Sequence, residues 1–67
     1  MTVYAIQHER SKLWITVPPS SGRHRVSSDA HQAETWEFMS IAELERLAIG
    51  PFADAYVVVP IRGGDLT

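Results

Sequence analysis

The chain has 67 residues, no cysteine, 45% hydrophobic residues and a formal net charge of −2. That length makes a single domain, 1–67, that buries only about 60% of the surface its unfolded form exposes, so its core is shallow. The absence of cysteine excludes a disulfide framework, a thiolate zinc site and a thiol nucleophile. Charge is divided along the chain: Arg10, Lys12, Arg23 and Arg25 face the lone acid Glu9 in the front part, up to Val26. From Ser27 to Ile61, Asp29, Glu34, Glu37, Glu43, Glu45 and Asp54 stand against Arg46.

Thr2–His8 and Lys12–Val17, rich in β-branched and aromatic residues, read as two strands of a hairpin. Glu9–Arg10 offers neither Gly nor Asn for a tight primed turn, which favours a loop over His8–Ser11. In that register Ile6 lies opposite Leu13 and Tyr4 opposite Ile15 on one face, with Ala5 and Trp14 paired on the other. A slip of one residue would exchange the faces.

Pro18–Asp29 is polar and turn-rich, with Gly22 near its centre, and reads as irregular. Ser28 or Asp29 can cap a short helix running to Ala33. Thr35–Met39 is a strand candidate, with Trp36 and Phe38 on one face and Glu37 on the other.

Ser40-Ile-Ala-Glu43 fits a capping box, and Ile41, Leu44, Leu47 and Ala48 fall on one stripe at helical spacing. The pattern predicts a helix over 41–49, stopped by Gly50 and Pro51, with Glu43 and Arg46 outside. Its stripe is expected to pack on Ile6, Leu13, Ile15, Val57 and Val59. Ala55–Ile61 is apolar on both faces and reads as a strand inside the sheet or under the helix, with Pro60 near its end or on a free edge. Residues 62–67 read as a loose tail. The fold class expected is α+β: a mostly antiparallel sheet of about four strands with one helix packed on it, in the order β-β-loop-β-α-β.

Ala55–Ile61 is also the longest apolar run, far below the roughly 20 residues that cross a bilayer. The start of the chain shows no secretory signal. No membrane association is expected.

Few residues carry a catalytic pattern. His8, His24 and His31 lack the spacing of metal ligands, and no serine sits in a G-x-S-x-G elbow. No enzyme activity, metal or cofactor is expected. Ser20–Arg25 has a phosphate-loop composition without the second glycine or the Lys-Ser/Thr pair. Direct nucleic-acid binding through Arg23 and Arg25 is the outside alternative, opposed by the acids elsewhere.

The acidic set Glu34, Glu37, Glu43, Glu45 and Asp54 is the leading candidate contact. Carboxylates on one face can occupy the sites that a basic, nucleic-acid-handling partner keeps for phosphates. Trp14, turned away from the Tyr4–Ile15 face, and Trp36, flanked by Glu34 and Glu37, are the candidate aromatic contacts.

A small acidic α+β chain without cysteine or a catalytic motif resembles the short phage-encoded anti-CRISPR proteins. That resemblance implies a non-enzymatic, protein-binding inhibitor, acting in the cytoplasm of a bacterial host as a monomer or weak dimer. Its partner would be basic, such as a subunit of a type I CRISPR effector. Trp14-x-x-x-Pro18, leading through a glycine-containing loop toward a helix over Ser28–Glu34, is similar in part to the HicB-type antitoxin domain. That likeness implies a regulatory interaction module instead.

Overall fold

β1 (Thr2–His8) is the spine of the molecule. In the computed structural model, which describes residues 2–62, it is followed by β2 (Trp14–Ile15), β3 (Val26–Ser27), β4 (Thr35–Trp36), α1 (Met39–Leu47) and β5 (Tyr56–Arg62). Short 3-10 turns cover Pro19–Ser21, Ala30–Gln32 and Ala53–Ala55. β5 pairs antiparallel along the whole of β1, from Thr2 opposite Arg62 to His8 opposite Tyr56. A strand has two edges, so β2 and β4 share the other: Gln7 pairs with Trp14, Tyr4 with Trp36 and Ala5 with Thr35. β3 extends the sheet beyond β2, with Trp14 opposite Ser27 and Ile15 opposite Val26.

Among the described residues the sheet thus has five strands, all paired antiparallel, with one α-helix packed on it. This is the α+β architecture expected. β3 is the addition, emerging from a stretch that composition marks as irregular. The rest of that stretch is ordered by local bonds. Gly22 takes φ +86° after the first 3-10 turn, and Asp29 caps the second by accepting from the His31 amide at 2.9 Å.

The hairpin register lies two residues from the expected one. His8 donates its amide to the Leu13 carbonyl at 2.8 Å, and the Lys12 amide returns to the His8 carbonyl at 2.9 Å. The loop is therefore Glu9–Lys12, not His8–Ser11. Ser11 fixes it locally, bonding His8 Nδ1 through its amide at 3.1 Å and its hydroxyl at 2.9 Å. Because side chains alternate with a period of two, this shift leaves every residue on its expected face, and Ile6 now lies level with Ile15. Lys12 adopts φ +64°, the left-handed region that non-glycine residues rarely enter.

α1 departs most from expectation. It begins two residues early, at Met39, and its N-cap is Phe38, which offers no side-chain acceptor. Ser40 is inside the first turn, and Glu43 turns to Arg46 at 2.5 Å, so the capping box does not form. The helix also ends two residues early, at Leu47 with Ala48 as its C-cap, and the left-handed Gly50 at φ +92° follows in the turn before Pro51.

The face of α1 is reversed. Ala42 is fully buried and the Arg46 side chain only 18% exposed, whereas Ile41, Leu44 and Leu47 are 44%, 63% and 55% exposed. The expected packing of these three on the sheet does not occur. Two polar contacts accompany this rotation. Glu45 accepts from the Ser20 amide at 3.1 Å and hydroxyl at 2.5 Å, and Arg46 Nη1 donates to the Ala53 carbonyl at 2.8 Å. With Ala42 at the seam, the helix packs on β1, β4 and β5, and Ala5, Ile6 and Ile15 are fully buried.

β4 is shorter than expected and ends at Trp36. Of the two places expected for β5, it takes the one under the helix and not the sheet interior: α1 packs on it, while among the described residues it is the edge strand beyond β1, and Pro60 on it is exposed, as an edge permits. Arg62, expected to open the tail, is the last residue of β5. The remainder of the expected tail, 63–67, lies outside the described residues.

Candidate interaction surface

The five carboxylates singled out by charge are not equivalent. Glu37, between β4 and α1, and Asp54, in the turn before β5, are exposed. Glu34 is half-buried, and its amide donates to the Ile15 carbonyl at 2.8 Å, tying the start of β4 to the end of β2. Glu43 is held by Arg46, and Glu45 by Ser20, which is itself exposed. Glu43 and Glu45 thus help to place the helix, leaving Glu37 and Asp54 as the carboxylates turned most fully to solvent.

Trp14 and Trp36 are both half-buried in strands flanking β1. The exposed aromatics are Phe38 and Phe52, at 63% and 72%. Ile41, Leu44 and Leu47 follow one another at a spacing of three on the outer side of α1, and Phe38, the extended N-cap residue, is exposed at its start. Ser40 and Ala48, small and exposed, lie beside it. Together they make an uncharged apolar strip on the surface of a protein with a total accessible area of 4510 Å². Periodicity located the stripe but assigned it to the core. The Glu45–Ser20 bond that accompanies its outward turn links residues far apart in sequence, and no local pattern announces it.

Two histidines also meet Tyr56. The rings of His8 and His24 stand edge-on to Tyr56, with centroids at 5.0 and 6.1 Å. His31 is exposed at the Asp29-capped turn. Among the described residues, no three His, Cys, Asp or Glu side chains are grouped to hold a metal ion. Arg23 and Arg25 are exposed, and the Arg25 carbonyl accepts from the Thr16 amide at 2.8 Å. Among the described residues, no helix is long and apolar enough to cross a membrane.

The fold and this surface define a small α+β domain with an outward apolar helix face. Compared with protein families, curated proteins and solved structures, the chain matches none of them.

Proposed function

We propose that the protein is a non-enzymatic protein-binding module whose principal contact is the outer face of α1. The observation that supports this is the exposed set Ile41, Leu44 and Leu47 on α1, with Phe38 exposed at the start of the helix. Monomeric proteins seldom leave a contiguous apolar patch bare unless something docks there. Glu37 and Asp54 are the charged groups available to a basic partner. An inhibitor occupying a surface of a nucleic-acid-handling complex, in the manner of anti-CRISPR proteins, is the form of the reading that the charge pattern suggests.

The test is quantitative capture of the target from host extract with wild type and three variants. Leu44→Asp is expected to abolish capture while the fold persists. Glu37→Lys with Asp54→Lys is expected to weaken capture and blunt its salt dependence, because the opposing charge is removed. Arg23→Ala with Arg25→Ala is expected to change little. If the arginine pair proves essential and Leu44→Asp is silent, the partner is anionic and the α1 reading fails.

A further inference from the structure

We propose that His8 is an acid-sensitive latch on the loop that joins β1 to β2. With a neutral ring it holds Ser11 and keeps the loop Glu9–Lys12 closed; once protonated it releases Ser11 and the loop opens. The device stands apart from the reading of α1 and does not depend on it.

The chemistry follows from one nitrogen. Nδ1 of His8 lies 3.1 Å from the Ser11 amide nitrogen and 2.9 Å from the Ser11 hydroxyl oxygen. An amide nitrogen only donates, so Nδ1 presents its lone pair and the proton of the neutral ring sits on Nε2. In the imidazolium both nitrogens carry hydrogen and no acceptor is left. The hydroxyl can answer by rotating, because its oxygen accepts as well as donates. The amide has no such choice, and its N–H would then point at another N–H. Ser11 in turn ties the loop to the residues that follow, its hydroxyl accepting from the Leu13 amide at 3.3 Å.

The loop also has somewhere to go. Lys12, next to Ser11, is held at φ +64°, a conformation that an L side chain resists. Strain of this kind persists only while the surroundings enforce it. Here the enforcement comes from the Lys12 amide on the His8 carbonyl at 2.9 Å, from Gln7 Nε2 on the Lys12 carbonyl at 3.1 Å, and from the latched Ser11. Releasing Ser11 removes one of the three, and relaxation of Lys12 offsets the bonds that are lost. That is the two-state element which a histidine switch needs. β1 itself stays in place, since β5 pairs along its whole length without using the His8 ring.

The other groups about the ring leave this bond undisturbed. Tyr56, opposite His8 on β5, meets the ring edge-on with centroids 5.0 Å apart, and His24 meets Tyr56 in turn at 6.1 Å. Among the described residues Ser11 alone bonds Nδ1. The charged residues adjacent in chain or register are Glu9, Arg10 and Lys12 of the loop and Asp54 ahead of β5, with Arg23 and Arg25 flanking His24, all of them exposed. Leu13 and Trp14 on the β2 side carry no charge. Protonation favours the open loop, so order in Glu9–Lys12 rises with pH across the range of about 5 to 8 in which imidazole changes charge.

The test is NMR of the isotopically labelled full chain at about pH 8 and about pH 5. At the higher pH the His8 ring proton is expected on Nε2, with the Ser11 amide proton shifted downfield. At the lower pH that downfield shift should be lost and the amides of Ser11 and Lys12 should relax as flexible backbone, while those of β1 and β5 stay rigid. His8→Asn supplies a carbonyl oxygen that does not titrate and should keep the loop ordered at both values. His8→Phe supplies no acceptor and should leave it open at both, and His24→Asn should behave as wild type. A ring proton on Nδ1 at the higher pH overturns the proposal. So does a Ser11 amide that stays unchanged while the His8 ring titrates, or a loop transition that survives in His8→Asn and vanishes in His24→Asn. Should a His8 variant fail to fold, the wild-type tautomer and the Ser11 titration decide the matter by themselves.

Discussion

Arg46 reaches out of α1 to the carbonyl of Ala53, donating through Nη1 at 2.8 Å, while its Nε binds Glu43. One guanidinium therefore ties the helix to the turn that leads into β5. A charged donor to a part-buried carbonyl contributes more than a surface ion pair does. Arg46→Ala is expected to destabilise by about 1–3 kcal/mol in urea unfolding. Arg46→Lys should recover only part, because an ammonium cannot serve both acceptors with the planar fork. Glu43→Gln should be nearly neutral. If Arg46→Ala matches wild type, this bond does not hold the helix in its rotation.

The inverted helix makes an ordering of mutants that periodicity alone would reverse. Ala42→Leu, which forces a large side chain into the fully buried seam, is expected to cost about 1–3 kcal/mol. Ile6→Ala in the same core should cost about 2–5 kcal/mol. Leu44→Ala should change monomer stability by less than about 0.5 kcal/mol. Thermal and urea midpoints measured at low concentration check the order, and a large loss at Leu44 would put the row inside.

Capping offers a further contrast. Ser40 lies within the helix, so Ser40→Ala should be neutral or gain up to about 0.5 kcal/mol through helix propensity. Phe38 is the N-cap and supplies no acceptor. Phe38→Asp should stabilise the fold by about 1 kcal/mol in urea unfolding. A Phe38→Asp midpoint no higher than that of the wild type would mean that the helix start gains nothing from a capping acceptor.

Lys12 provides the fourth prediction. Its φ of +64° is costly for a lysine and tolerable for asparagine. Lys12→Asn is expected to raise stability by about 0.5–1 kcal/mol, and Lys12→Val to lower it by at least as much. Denaturation midpoints read both. Equal midpoints for the two would mean that the hairpin loop relaxes away from this conformation.

Much of the architecture could be read from the sequence because it follows local rules. Alternation placed β1 over Thr2–His8 as expected, while the expected strand Lys12–Val17 shortens to Trp14–Ile15 because Lys12 is taken into the loop, and the faces survived the register shift because the shift was even. Gly50 takes the left-handed conformation its place suggested, though the helix ends earlier, at Leu47, and Asp29 caps its turn. β3 was not legible, since Val26–Ser27 becomes a strand only by pairing with β2. The helix face was misread for a related reason. Ile41, Leu44 and Leu47 carry the amphipathic signal, but the contacts that accompany the rotation are made with Ser20 and Ala53, and neither belongs to the helix. Of the candidate contacts, Glu37 and Asp54 stayed at the surface, whereas Glu43 and Glu45 took internal partners that charge counting does not reveal.

The pairing of β1 with β5 bears on how the chain comes to be folded in time. β1 is made early and β5 late, yet they join along their full lengths, from Thr2 opposite Arg62 to His8 opposite Tyr56. During synthesis one edge of β1 must wait, unsatisfied, while β2, β3, β4 and α1 emerge. Closing the sheet then requires a long loop to be brought together before its contacts return anything. Pairings of this separation fold in milliseconds to seconds rather than microseconds. A nascent chain halted before Tyr56 would hold every helix residue and still lack the partner that completes its central strand.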